Sequence, residues 1–214
     1  MIADETLRTI EENARDRFNE RVDSEGRSAT ALGWDSESSM RTRFEAAADL
    51  YDFGDRRVLD VGCGFGDFYE FLCEIGQQPA EYYGVDVSDR VLEVARKEHA
   101  NPECRFERRN ILREPFEREQ FDVIVEFGIL NYNFDDLSNE RYLRYFIDTC
   151  YGFGDSVLVN CLSEYREGDW EFEEFVYYYS PEKAFGYAQE LTRNVTLKHN
   201  FAPIPQKEFH LLLE

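Results

Sequence analysis

The stretch that decides the fold is "RRVLDVGCGFGDFYEFL", Arg56 to Leu72. Its apolar run over 57–62, broken by the single acid Asp60, reads as a buried parallel strand. Three glycines follow at alternate positions, Gly62, Gly64 and Gly66, and then a helix over 67–76 that Gly76 stops. A strand, a glycine turn and a helix in that order bring a ligand against bare backbone, because glycine has no β-carbon in the way. A dinucleotide turn needs G-x-G-x-x-G, and here the third glycine falls one place early. Asp67, with Glu70 one turn on, adds carboxylates where a pyrophosphate needs positive potential. The turn therefore suits a positively charged ligand, one with an ammonium and a sulfonium, better than a phosphate.

Outward from this turn, strands and helices alternate. Strands are expected at 82–88, 104–110, 121–128 and 156–163, with helices at 88–100 and 139–152 between them. Ser88 or Asp89 caps the first of these helices. A helix over 180–192 begins with Ser180 as its cap and Pro181 in its first turn, and two strands, "NVTLKHNFA" and "EFHLLLE", close the chain. The short link "APIPQ" between them predicts an antiparallel pair at one sheet edge. Before the first strand, helices are expected at 4–22, capped by Thr6, and at 37–51, joined by a polar loop. Such alternation predicts a parallel sheet wound on both faces, in one domain made of a helical cap (1–54) and a core (55–214).

In a doubly wound sheet the ligand sits at the carboxyl ends of the strands. The second loop, "YYGVDVS", ends its strand with Asp86, placed to accept both hydroxyls of a ribose, with Val87 beside it. Capping of the next helix is the alternative role for Asp86. The third loop, "RRNIL", offers Asn110 and Ile111 to the edge and face of an adenine. The fourth, "VEFGILNYN", brings Glu126 to Gly128 to the reacting centre, with Asn131 and Tyr132 facing the pocket.

Taken together and in this order, "VLDVGCGFGDF", "YYGVDVS", "RRNIL" and "FDVIVEFGIL" resemble the class I S-adenosylmethionine-dependent methyltransferases over about residues 55–165. The resemblance implies a Rossmann-like seven-stranded sheet of order 3-2-1-4-5-7-6 with the seventh strand antiparallel. It implies S-adenosyl-L-methionine as cofactor. Asp60, Gly62 and Gly64 would cradle its methionine end, Asp86 its ribose, Asn110 and Ile111 its adenine, and Phe127 would close on it. Asn110 stands where the family more often has Asp. "GWDSESSMRTRF" resembles the cap of small-molecule members, which gives Trp34 a place near the methionine part and Arg43 a place on its carboxylate.

Methyl transfer from a sulfonium is an in-line displacement that needs alignment more than proton transfer, so no catalytic residue is assigned. Asn131, Tyr132, Glu164 and Tyr165 are the candidates for acceptor contacts. The acidic, aromatic segment "SEYREGDWEFEEFVYYYS" (163–180) is read as a wall favouring a cationic or aromatic acceptor, or as core tyrosines with a solvated acidic face.

Composition narrows the class further. The chain has 214 residues, 45 Asp plus Glu against 24 Lys plus Arg, a formal net charge of -21, and only Lys97, Lys183, Lys198 and Lys207 as lysines. Such a surface repels nucleic acid, and few lysines among many acids suit a salt-rich cytoplasm. The amino-terminal stretch is charged and lacks the apolar core of a signal peptide, and no apolar run approaches a membrane span. Five cysteines without a CxxC read as buried thiols, and three scattered histidines argue against a zinc site. The expectation is a cytoplasmic enzyme with a small-molecule acceptor, no membrane or nucleic acid partner and no metal. A protein side-chain methyltransferase or a non-catalytic cofactor-binding regulator is the alternative.

Overall fold

A computed structural model describes residues 1–117, 120–134, 137–166, 173–201 and 206–214. Strands β1 (Arg57–Val61), β2 (Glu81–Asp86), β3 (Cys104–Arg108), β4 (Phe121–Phe127), β5 (Gly154–Arg166), β6 (Val195–Lys198) and β7 (Gln206–Leu213) form one sheet of order β3-β2-β1-β4-β5-β7-β6. The first five are parallel, and β7 runs antiparallel to both β5 and β6. The helices are α1 (Asp4–Glu25), α2 (Glu37–Ala48), α3 (Asp67–Glu74), α4 (Asp89–Glu98), α5 (Asn139–Tyr151) and α6 (Pro181–Leu191).

The strand pattern explains the two-sided core. Along β1 and β4, alternate side chains enter opposite clusters, as a period of two requires. Leu59, Val61 and Ile124 pack with Phe146, Ile147 and Ala188 of α5 and α6. Val58, Val123, Val125 and Phe127 pack with Phe44, Phe68 and Leu72 of α2 and α3. Each such side chain removed from water contributes about 1.5–3 kcal/mol.

Helix starts follow the side chains available. Ser36 and Ser88 accept the N–H of Ser39 and Val91, capping α2 and α4, and Ser138 does the same for Arg141 at α5. Two expected caps are corrected. α1 begins at Asp4, so Thr6 lies inside the helix and makes no cap. Ser180 makes no cap bond either, because its hydroxyl turns to Glu182 at 3.2 Å. β5 also outruns its expected end at Ser163 and reaches Arg166. The link "APIPQ" lies largely outside the described residues, but the antiparallel pairing of β6 and β7 that it predicted is present. The five cysteines are free, and only Cys73 is exposed.

Candidate active site

The glycine turn is held by the neighbouring strand. Gly62 and Cys63 both donate their N–H to the carbonyl of Val85, at 2.8 and 3.1 Å. Gly62 has φ 76° and Gly64 φ 56°, a region that other residues avoid. A β-carbon on Gly62 would stand 2.2 Å from Cγ2 of Ile129, and one on Gly64 would stand 2.8 Å from Cδ1 of Leu32. Two other parts of the chain thus close on this backbone: the short 3₁₀ turn Ile129–Asn131 after β4, and the turn Thr30–Leu32 between α1 and α2.

Over the carboxyl ends of β1, β2 and β4 lies a cavity of about 1200 Å³. It is bordered by Asp60, Gly62, Gly64, Asp86, Val87, Asn110, Ile111, Phe127, Trp34 and Arg43, all the positions assigned to a cofactor from sequence. Asn131 and Tyr132 border it as well. Glu164 and Tyr165 do not. Both fall within the extended end of β5, where the N–H of Glu164 bonds the carbonyl of Tyr179 and the exposed Tyr165 hydroxyl donates to Glu182. Of the segment 163–180, Glu173, Phe175 and Val176 reach the cavity, and residues 167–172 lie outside the described residues. Tyr179 is core: it is buried and donates its hydroxyl to the carbonyl of Leu130 at 2.7 Å.

Carboxylates set the electrostatics. Asp86 accepts the N–H of Ser88 at 2.9 Å on one oxygen and that of Gly64 at 3.3 Å on the other. It therefore fixes the glycine turn and the start of α4 while it lines the cavity. Burial pushes it up to about 6. Burial likewise pushes Asp60 up to about 7, with the charges of Asp86 and Asp67 adding to the effect and the Tyr82 hydroxyl bond opposing it. Asp67 departs from the sequence reading. Its carboxylate is 2.7 Å from the Arg27 guanidinium, so its charge is answered locally and the preference for a cation falls on Asp60 and Asp86.

Arg43 and Asn110 also have resident partners. Arg43 is buried. Nε and Nη2 donate to the two carboxylate oxygens of Glu208, the first at 2.8 Å, and Nη1 donates to the carbonyl and hydroxyl of Ser39. One N–H at most is left for a ligand carboxylate. Its guanidinium also covers Trp34, 4.7 Å from the ring. Asn110 accepts the N–H of Leu112 at 3.1 Å and donates to Glu11 of α1 at 3.3 Å. Phe127 packs among Phe44, Phe68 and His210. His210 is kept neutral by burial, which lowers it to about 3.

The roof is α1, part of the helical cap expected over residues 1–54, for which the sequence named no lining residue. Arg113 pairs with Asp4 and Glu11 at 2.8 Å, Arg90 pairs with Asp23 at 3.3 Å, and Asn19 accepts from the Ser88 hydroxyl at 2.8 Å. These contacts hold the helix across the cavity. Its lining residues Ile10, Ala14, Arg17, Phe18 and Arg21 recur at three- and four-residue spacing, the signal that could have found them.

This sheet order, a bare glycine turn after β1 and an acid at the end of β2 are arranged as in the class I S-adenosylmethionine-dependent methyltransferases. Residues 58–150 match the family described as methyltransferase domain. Phthiotriol/phenolphthiotriol dimycocerosates methyltransferase of Mycobacterium tuberculosis is 32% identical over 82 residues, 38% of this chain and 30% of that protein. Demethylmenaquinone methyltransferase of Deinococcus radiodurans is 37% identical over 93 residues, 42% of this chain and 38% of that one. The matched segment thus spans 30% and 38% of the length of these curated relatives. Magnesium protoporphyrin IX methyltransferase of Synechocystis PCC 6803, solved with bound SAH, aligns at a TM-score of 0.64 and 13% identity, over 96% of this chain and 100% of that one. This last likeness speaks for the fold. Among the described residues no cluster suited to a metal ion occurs, and no helix is long and apolar enough to cross a membrane.

Proposed function

We propose that the protein transfers the methyl group of S-adenosylmethionine to a small-molecule acceptor held between α1 and the turn after β4. The observation that carries this reading is the convergence of four separate loops on one cavity: Gly62 and Gly64, Asp86, Ile111, and Phe127. The residues present fit this group: the bare backbone of Gly62 and Gly64 borders the cavity beside the carboxylates of Asp60 and Asp86. When bound, the cofactor supplies a methyl group on a positively charged sulfur. The chain supplies the rest. Asp86 accepts the ribose hydroxyls, Ile111 covers an adenine face, and the carbonyls and N–H groups of the glycine turn meet the methionine end. Asp60 supplies negative potential beneath it.

The acceptor is aligned rather than activated. Alignment of two bound reactants lowers the barrier by about 7–11 kcal/mol at best, enough for a reaction with a neutral leaving group. The neighbouring relatives act on small molecules, as their names state, and this supports the same class of acceptor here. A net charge of -21 disfavours a nucleic acid acceptor. Incubation with methyl-labelled cofactor tests the reading. Label should pass to a low-molecular-weight fraction of a metabolite extract. Transfer to protein alone, or no transfer by a chain that binds the cofactor, would overturn it.

A further inference from the structure

Several arginines of this chain rest on acids, among them Arg27 on Asp67, Arg43 on Glu208, Arg57 on Glu81 and Arg113 on Asp4. Arg17 and Arg21 of α1 differ. Both border the cavity, and neither makes an ion pair among the described residues, in a chain of 45 acids and 24 bases. They stand four residues apart on one helix face, where like charges destabilise a helix.

Arg17 touches Tyr132, and Arg21 stands nearby. The Arg17 guanidinium lies 4.6 Å from the centre of its ring. Nη1 of Arg21 and the Tyr132 hydroxyl both lie beside Gly33, 3.2 and 3.5 Å from where a β-carbon of that glycine would stand. Nη1 of Arg21 makes one long bond, 3.5 Å to the carbonyl of Thr30. Tyr132 is fixed from behind: its carbonyl accepts from Asn139 at 2.6 Å, and its backbone bridges to Val176. Two guanidinium groups and a phenol thus stand toward one end of the cavity, and among the described residues the two guanidinium groups make no ion pair. Beyond them the wall turns apolar, with Leu137, Tyr142 and Phe146.

We propose that Arg17, Arg21 and Tyr132 form a carboxylate-binding fork for the methyl acceptor, and that the acceptor is a small amphipathic acid. Its carboxylate lies on α1 and its apolar or aromatic body lies along Leu137, Tyr142 and Phe146. The inference rests on the methyltransferase reading. Guanidinium forks match carboxylates in shape and charge. A dianionic phosphate suits the cavity less well, because Asp60, Asp86, Asp35 and Glu173 line it too. From sequence the segment 163–180 favours a cationic or aromatic acceptor; Arg17 and Arg21 add positive charge to this end of the cavity.

The test uses the full chain saturated with S-adenosylhomocysteine. Binding of 4-hydroxybenzoate, 3-phenylpropionate and decanoate, each beside its neutral amide, is followed by saturation-transfer NMR and calorimetry. At least one acid should bind at least tenfold more tightly than its amide. The double variant Arg17→Gln/Arg21→Gln should lose that preference while binding S-adenosylhomocysteine within twofold of the parent. The single change Tyr132→Phe should weaken the acid by a smaller factor. Amides binding as well as acids, no acid binding, or an unchanged preference in the double variant would overturn the fork. So would a double variant that binds S-adenosylhomocysteine at least tenfold less tightly, since the arginines would then serve the cofactor's own carboxylate. Failure of the parent chain to bind S-adenosylhomocysteine is a different result, and it removes the methyltransferase reading itself.

Discussion

Replacing Glu126 by glutamine should change how the stability of the chain depends on pH. Glu126 sits near the end of β4, fully buried, with one carboxylate oxygen accepting the N–H of Asn160 at 2.7 Å and the other without a partner among the described residues. Burial pushes it from 4.5 up to about 8, and nearby backbone N–H groups only partly oppose this. At neutral pH it is therefore a neutral acid in the folded chain and an anion in the unfolded one. The sign follows. Its contribution to stability is complete below about pH 4.5 and is lost as pH rises toward about 8, at about 1.4 kcal/mol per unit. Glu126→Gln keeps the carbonyl that Asn160 uses and removes the ionisation. Its amide has no acceptor, a pH-independent cost of about 1–3 kcal/mol, so the slope is the observable rather than the absolute value. Urea denaturation of both chains between pH 5.5 and 7.5 should show the variant gaining about 3 kcal/mol relative to the parent across that interval. A stability difference that stays flat with pH would refute the burial of a neutral acid at this position.

The remaining predictions concern the ligand site and its frame. Gly62→Ala should abolish measurable cofactor binding and cost at least about 1–2 kcal/mol in stability from φ 76° alone, read by calorimetry and by urea midpoint. Asp86→Asn should weaken the cofactor by about tenfold or more, the range of a charged hydrogen bond lost. Because Asp60 and Asp86 stand at about 7 and about 6 in the ligand-free chain, binding a cation should release protons near pH 6 and weaken as pH falls below it. Titrations in buffers of different ionisation enthalpy measure that release. Breaking one side of the buried pair, with Arg43→Met or Glu208→Gln, should cost about 3–5 kcal/mol, and replacing both should restore most of it. A double-mutant cycle in urea checks this. With a net charge of -21, the midpoint of thermal unfolding should rise between low salt and molar KCl, despite the weakening of surface pairs such as Arg113–Asp4.

The parallel sheet could be read from the chain because its signals are local. Each buried strand is an apolar run, and each turn after it carries the glycine or acid that the backbone or ligand needs. The same locality explains why Gly62, Asp86 and Ile111 were placed correctly on one cavity. The contacts that the sequence concealed join residues far apart. Glu208 occupies Arg43 across 165 positions, Arg27 answers Asp67, and Glu11 reaches Asn110. No spacing rule links such pairs, since only the folded sheet brings β7 under α2. The lining of the helical cap was hidden for another reason. The lining face of α1 mixes Ile10, Ala14 and Phe18 with Arg17 and Arg21, so apolar periodicity alone reported a helix and not what it covers. Glu164 and Tyr165 were misplaced because strand length depends on a partner: β5 continues to Arg166, which pairs with Gln206 of β7.

Calorimetric titration of S-adenosylhomocysteine into the purified chain, with NADH as the competitor class, separates a methyl-donor site from a dinucleotide site. The nucleoside thioether should bind saturably, with that binding lost in Gly62→Ala, and the dinucleotide should not bind. Heat with NADH and none with S-adenosylhomocysteine would contradict the methyltransferase reading.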